Sequence, residues 1–338
     1  MKDLSKDGVS ISPACTVPFS SPAIVPAGFK FCCLPHLPQW ESLDFWNGPE
    51  MRAIRREFLA GGIPDLCKAC HTVNRHLGQQ PDGGSVEKTF AEVVPLNFRT
   101  LSLARSNTCN NACEMCRADL STTFGREFGG YVKVANEIDL RPFVDEIEAV
   151  YIAGGNPVQD PGVLEILRFL DPDRVRFLMF TSNGTSFPAE YLEALGRFRD
   201  VLICFSIDAD YTVNEEIRRY SKHERTYATI RDVLRNRQGN CRVAIQQTLT
   251  MRSYRRMYQL YKEVQSFLPI DDLEYSPNPC VWPEHLSLTN LSATDLLWLD
   301  NQLLLLEQEP TPFARDMCRQ LRGLRSFIEE QTSVQRPT

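Results

Sequence analysis

Twelve cysteines stand in 338 residues, and eight of them fall between positions 15 and 116. The start, Met1–Ser10, is charged and lacks the apolar run of a secretory leader. The expectation is therefore a reducing cytoplasm, where cysteines serve as metal ligands, catalytic thiols or small core residues rather than disulfides. The densest group is Cys109-Asn-Asn-Ala-Cys113-Glu-Met-Cys116. Twelve cysteines placed at random give a CxxxCxxC pattern about 0.015 times in such a chain. Its Asn, Glu and Arg neighbours are not core residues. Three closely spaced thiolates can hold three corners of a 4Fe–4S cube and leave one iron open for chemistry. A structural zinc would want a fourth ligand, and no histidine lies nearby to supply it.

The elements that must position this group follow from texture. From Arg99 onward, strands and helices alternate. The pattern predicts strands at Thr100–Arg105, Ala149–Ala153, Arg174–Thr181, Val201–Asp208, Arg242–Thr250 and Asp272–Ser276. Helices are predicted at Pro161–Leu170, Pro188–Phe198, Arg225–Arg237 and Tyr254–Phe267. Such alternation implies a parallel sheet whose chemistry collects at the C-terminal strand ends, with too few strands to close an eight-fold barrel. The cysteines lie just beyond the first of these strands. After Asn278 the chain turns helical, with a capping box at Ser292 and Asp295 before Leu296–Gln308. Residues 1–98 read as irregular and Pro-rich, apart from a helix at Gly48–Leu59 whose apolar stripe is Met51, Ile54 and Phe58. The expected division is 1–98, 99–282 and 283–338.

The cysteine spacing, in this place, resembles the radical SAM superfamily. Further motifs support the likeness: Gly154-Gly155-Asn156-Pro157 after the second strand, Ser182-Asn183-Gly184 after the third and Ser206-Ile207-Asp208 after the fourth. The resemblance, over roughly 99–279, implies an α/β fold, a partial (β/α)6 radical SAM barrel with an irregular N-terminal cysteine-rich lobe and a helical C-terminal tail. It implies a 4Fe–4S cluster on Cys109, Cys113 and Cys116, and S-adenosylmethionine bound by Met115, Gly154, Gly155, Asn156, Pro157, Asn183, Ser206 and Asp208. Asn156 stands where the family usually has Glu: it can accept a hydrogen bond but supplies no charge. Met115 stands where many members carry an aromatic, and a thioether packs there more softly.

The N-terminal cysteines form a second series. Cys15 is followed by twelve residues, Gly28, four residues and Cys33, and later by Cys67-Lys-Ala-Cys70. The series, with the Trp46–Gly61 helix, resembles the SPASM or twitch module and implies an auxiliary 4Fe–4S cluster on Cys15, Cys33, Cys67 and Cys70. Cys32 rivals Cys33, and His36 or His71 could replace a cysteine. A four-cysteine zinc knob and unliganded core cysteines are the plainer alternatives.

Composition narrows the function. Hydrophobic residues make up 43% and charged ones 24%, which is ordinary for a globular chain. A net charge of −6 and a pI near 5.5 disfavour nucleic acid, and no apolar run predicts a membrane span. The resemblance implies an enzyme that takes a hydrogen atom from a substrate C–H bond in oxidative tailoring of a natural product, an aminocyclitol, a sugar or a peptide. A flavodoxin or ferredoxin would serve as reductant. Two alternatives stay open. Cys280, just past the last predicted strand, could donate a hydrogen atom in a radical epimerase, or the chain could be a non-catalytic metal-binding module.

Overall fold

The computed structural model describes residues 15–32, 34, 36–77 and 90–334. Its strands are β1 (Ala23–Val25), β2 (Gly28–Lys30), β3 (Thr100–Leu103), β4 (Ala112–Cys113), β5 (Ala149–Ile152), β6 (Phe177–Ser182), β7 (Val201–Ser206), β8 (Arg218–Arg219), β9 (Cys241–Leu249) and β10 (Leu273–Pro279). The helices are α1 (Pro49–Leu59), α2 (Lys68–Asn74), α3 (Thr122–Phe128), α4 (Pro161–Phe169) and α5 (Ala189–Gly196). They continue as α6 (Tyr211–Ile217), α7 (His223–Asn236), α8 (Met257–Phe267), α9 (Leu296–Leu306) and α10 (Pro312–Val334).

All six expected strands are present and run parallel as β3, β5, β6, β7, β9 and β10. This is a partial (β/α)6 barrel. Strand centres carry Leu101, Val150, Leu178, Phe180, Ile203, Val243 and Ile245 without solvent exposure. Each such side chain contributes about 1.5–3 kcal/mol through burial. Helices cover the sheet on their apolar faces. In α4, Val163, Leu164 and Leu167 are buried, Asp160 caps Gly162 N–H at 3.1 Å, and Pro161 opens the first turn.

The expected capping box at Ser292 and Asp295 is present, and it starts a 3-10 turn that leads into α9.

The N-terminal region holds more order than its Pro-rich sequence suggests. Strand β1 joins the main sheet in parallel with β3, and β2 pairs antiparallel with β1, so the order is β10-β9-β7-β6-β5-β3-β1-β2. Gly28 sits at φ +147°, and a Cβ there would stand 2.1 Å from the Trp40 carbonyl oxygen. Only glycine permits this approach. The expected apolar stripe of the 48–59 helix, Met51, Ile54 and Phe58, is buried, and one charged residue of the helix joins it. Arg55 is fully buried against the Trp46 ring and donates to Pro18 O at 2.8 Å, Asn47 Oδ1 at 3.0 Å and Glu92 O at 3.3 Å. Its fork of donors is satisfied mainly by carbonyls, which is what lets it leave water.

The lobe also reaches the far side of the sheet. Helix α10 passes the turn after α2 so closely that a Cβ on Gly323 would meet the His76 carbonyl oxygen at 2.3 Å. His76 packs edge-on against Phe327, and Arg75 pairs with Glu330. No described helix is long and apolar enough to cross a membrane.

Candidate metal centre

The loop after β3 carries Cys109, Cys113 and Cys116, and the carboxyl ends of the other strands hold it. From the end of β5, Asn156 N–H donates to Thr108 O at 2.7 Å. Beyond β6, Asn183 donates through Nδ2 to Asn110 Oδ1 at 2.8 Å, and the same nitrogen lies 3.9 Å from Cys109 Sγ. Beyond β7, strand β8 pairs with β4, setting Cys113 opposite Arg218. Past β9, Arg252 clamps Glu114 at 2.8 Å and Glu216 at 2.6 Å. Past β10, the Trp282 ring lies 5.3 Å from the Arg117 guanidinium. The cysteine loop is thus the hub on which five strand ends converge.

Positive φ at Gly154 and Gly155 has a local cause. A Cβ on Gly154 would meet Ala104 Cβ at 2.4 Å, and one on Gly155 would meet Thr108 O at 2.5 Å. These glycines press the β5 turn against the cysteine loop itself.

Electrostatics couple the three thiols, Cys109 opposing the ionisation of Cys113 and both opposing that of Cys116. Burial pushes Cys113 up to about 12, and Arg218 pulls against that rise. Burial also raises Cys109, and it raises Cys116 together with the neighbouring charges of Cys113 and Cys109. Burial thus disfavours deprotonation of all three, so loading iron and sulfide would release protons. Beside them lies a buried ion pair. Asp208, wholly enclosed, faces Arg218 at 2.7 Å (Oδ2 to Nε) and accepts from Nη2 at 3.0 Å and from Thr248 N–H at 2.7 Å. Arg218 Nη1 in turn lies 3.8 Å from Cys113 Sγ. Burial works against the guanidinium charge, but Asp208 and the thiols keep its pKa raised.

The other residues predicted for the cofactor fall around the same loop. Asn156 is buried, its Oδ1 taken by Ser182 Oγ at 3.2 Å and Asn183 N–H at 3.4 Å, while its Nδ2 has no partner. Pro157 begins a 3-10 turn, Met115 is half-buried in the turn after β4, and Ser206 ends β7. Cys280 is buried and donates Sγ–H to Trp282 O at 3.1 Å. Burial raises its pKa to about 11, with Asp208 and Glu114 adding to the rise.

A fit to a polar occupant is visible in what is left unpaired. Asn111 Nδ2 and Oδ1, Glu114 Oε1 and Asn156 Nδ2 are all buried without hydrogen-bond partners. Buried polar atoms are nearly always paired, so four orphans on one loop and the turn beside it suit a group bound there. Arg218, Arg252 and Asn111 escaped sequence reasoning. An arginine twelve residues past the end of β7 carries no local signal, and only the buried charge opposite Asp208 marks it.

In the N-terminal lobe, Cys15, Cys67 and Cys70 gather. Burial pushes Cys67 up to about 12, and the largest contributions after burial come from Cys15 and then Cys70. Cys33 lies outside the described residues. None of the described cysteines is in a disulfide. Among the described residues, no three His, Cys, Asp or Glu side chains converge as tightly as one metal ion requires. A cube gives each thiolate its own iron and so spreads its ligands more widely.

No protein-family model and no curated protein matches this chain. Among solved structures it is similar to anSMEcpe with bound AdoMet, with 12% identity and a TM-score of 0.42 over 61% of this chain and 59% of that one. It is similar to Streptococcus suis SuiB bound to S-adenosylmethionine at 16% identity and a TM-score of 0.42, over 61% and 47%. TYW1 with a lysine-pyruvate adduct bound gives 19% and 0.33, over 49% and 51%. The chain spans between about half and three-fifths of the length of these proteins, and their activities remain theirs.

Proposed function

We propose that this protein is a radical SAM enzyme, with its first cluster on Cys109, Cys113 and Cys116. The observation that carries the reading is the cysteine loop itself: three mutually interacting thiols at the carboxyl end of a parallel sheet, ringed by unpaired buried polar atoms. When bound, a 4Fe–4S cluster with one open iron and S-adenosylmethionine supply an electron and a 5′-deoxyadenosyl radical that takes a hydrogen atom from a substrate C–H bond. The chain's own residues do the rest. Asn183 and Thr122 fix the loop, the latter by exchanging hydrogen bonds with the Cys109 backbone at 3.2 and 3.0 Å. Arg218 sets a permanent positive charge beside Cys113, and Asp208 holds it there. Met115, Gly154, Gly155, Asn156, Pro157 and Ser206 border the space for the cofactor. Asp208 serves it through Arg218.

The reaction is oxidative tailoring of a small polar natural product or a peptide, with a flavodoxin or ferredoxin as reductant. The N-terminal thiols support this. Cys15, Cys67 and Cys70 would supply three ligands of an auxiliary cluster, which would provide an acceptor for the second electron of an oxidised substrate radical. A second reading, epimerisation, draws on Cys280. Its pKa near 11 keeps the hydrogen on sulfur at neutral pH, and it shares the electrostatic surroundings of Asp208 and Glu114. An anaerobic assay with dithionite and S-adenosylmethionine tests the class: 5′-deoxyadenosine is expected, with about eight irons per chain after reconstitution. No 5′-deoxyadenosine would refute the enzyme, and four irons with one zinc would refute the auxiliary cluster.

A further inference from the structure

We propose that His36 is the fourth ligand of the N-terminal centre, completing a set of three cysteines and one histidine with Cys15, Cys67 and Cys70. The inference rests on the reading of these thiols as cluster ligands. Cys67 and Cys70 are three residues apart at the start of α2, a spacing that places their side chains on one side of the helix. The Cys70 sulfur already receives an N–H from Asn74 Nδ2 at 3.0 Å, and Asn74 is itself buried. Such a donor is the outer-shell partner that a metal-bound thiolate carries.

The imidazole of His36 is anchored to the same turn. Its Nε2 lies 3.2 Å from the carbonyl oxygen of Leu66, the residue before Cys67. A carbonyl can only accept, so in the neutral ring the proton sits on Nε2 and Nδ1 carries the lone pair. That Nδ1 is buried and has no hydrogen-bond partner among the described residues. One ring nitrogen tied to a backbone carbonyl, with the other unprotonated, enclosed and unused, is the arrangement of a ligating histidine.

The chemical consequence is a change of charge. A neutral imidazole in place of a thiolate makes the cluster one unit less negative and raises its reduction potential. That suits a centre whose task is to take an electron from a substrate radical.

The test uses the full chain, reconstituted anaerobically with iron and sulfide, with its histidine nitrogens isotopically labelled. Pulsed electron paramagnetic resonance of the reduced protein, without S-adenosylmethionine, should show coupling to a histidine nitrogen. His36→Cys should abolish that coupling, keep the iron content and lower the midpoint potential of the N-terminal cluster. Cys33→Ser should leave coupling, iron and potential unchanged. Absence of coupling in the unmutated protein would overturn the proposal, as would coupling that survives His36→Cys or N-terminal iron lost in Cys33→Ser. In those cases the cluster stands with another ligand. A chain that takes up only four irons overturns the auxiliary cluster as well, while 5′-deoxyadenosine formation still reports on the first site.

Discussion

Cys109, Cys113 and Cys116 hang on a single loop that five strand ends grip, whereas Cys15, Cys67 and Cys70 come from two separate segments of the N-terminal lobe. The first site inherits its precision from the parallel sheet, where each strand end delivers one contact: Gly155, Asn183, Arg218, Arg252 and Trp282. The second depends on packing between a short helix, a hairpin that extends the sheet and the long helix α10. One arrangement is held from five directions. The other has fewer supports, and only tertiary structure joins Cys15 to the Cys67 and Cys70 pair. The difference matches their proposed tasks, since a site that generates a radical must hold its cofactor rigidly, while a site that only accepts electrons has no reacting atoms to align.

The comparison breaks most sharply at the thiols. Replacing Cys109, Cys113 and Cys116 together by Ala should abolish 5′-deoxyadenosine formation and leave the N-terminal iron in place. Retained cofactor cleavage, measured by chromatography, would end the assignment of that loop. Replacing Cys67 and Cys70 by Ala should halve the iron content and remove oxidised product while 5′-deoxyadenosine still forms. Full product formation with undiminished iron would show that the lobe has no redox role.

Smaller effects sharpen the contrast. Arg218→Met leaves Asp208 buried without its cation and should lower stability by about 3–5 kcal/mol, read from denaturant midpoints. An effect under about 1 kcal/mol would mean that solvent reaches the pair. Cys280→Ala should cost about 1 kcal/mol of stability and leave an oxidative reaction almost unchanged. Turnover in deuterium oxide separates the two chemistries, since an epimerase delivers deuterium to the product carbon and stalls in Cys280→Ala. Product without solvent deuterium would leave only the oxidative reading.

The sheet was legible in the sequence because β3, β5, β6, β7, β9 and β10 are apolar runs spaced by helix-length segments. The cysteine spacing marked the loop for the same reason: the signal is local. What escaped was non-local. Strands β4 and β8 have two residues each, too few for any period, and they exist because Cys113 and Arg218 meet across the mouth. Strand β1 is three residues in a Pro-rich stretch, stabilised by an edge of β3 made much later in the chain. The burial of Arg55 carries no local signal because its partners, Pro18 and Glu92, are distant in sequence. His36 gave no periodic cue at all, and only its ring contacts distinguish it.

The position of β1 beside β3, with Arg75 and His76 against Glu330, fixes an order of events during synthesis. A ribosome delivers the N-terminal lobe first, yet its hairpin has no sheet to join until Thr100–Leu103 has emerged. Helix α2 has no neighbour on its α10 side until Phe327 and Glu330 have been made. Domains generally fold from the N-terminus as translation proceeds, but here the earliest residues must wait for the latest. The lobe made first is thus completed last, and the cluster proposed for it would be loaded into an almost finished protein.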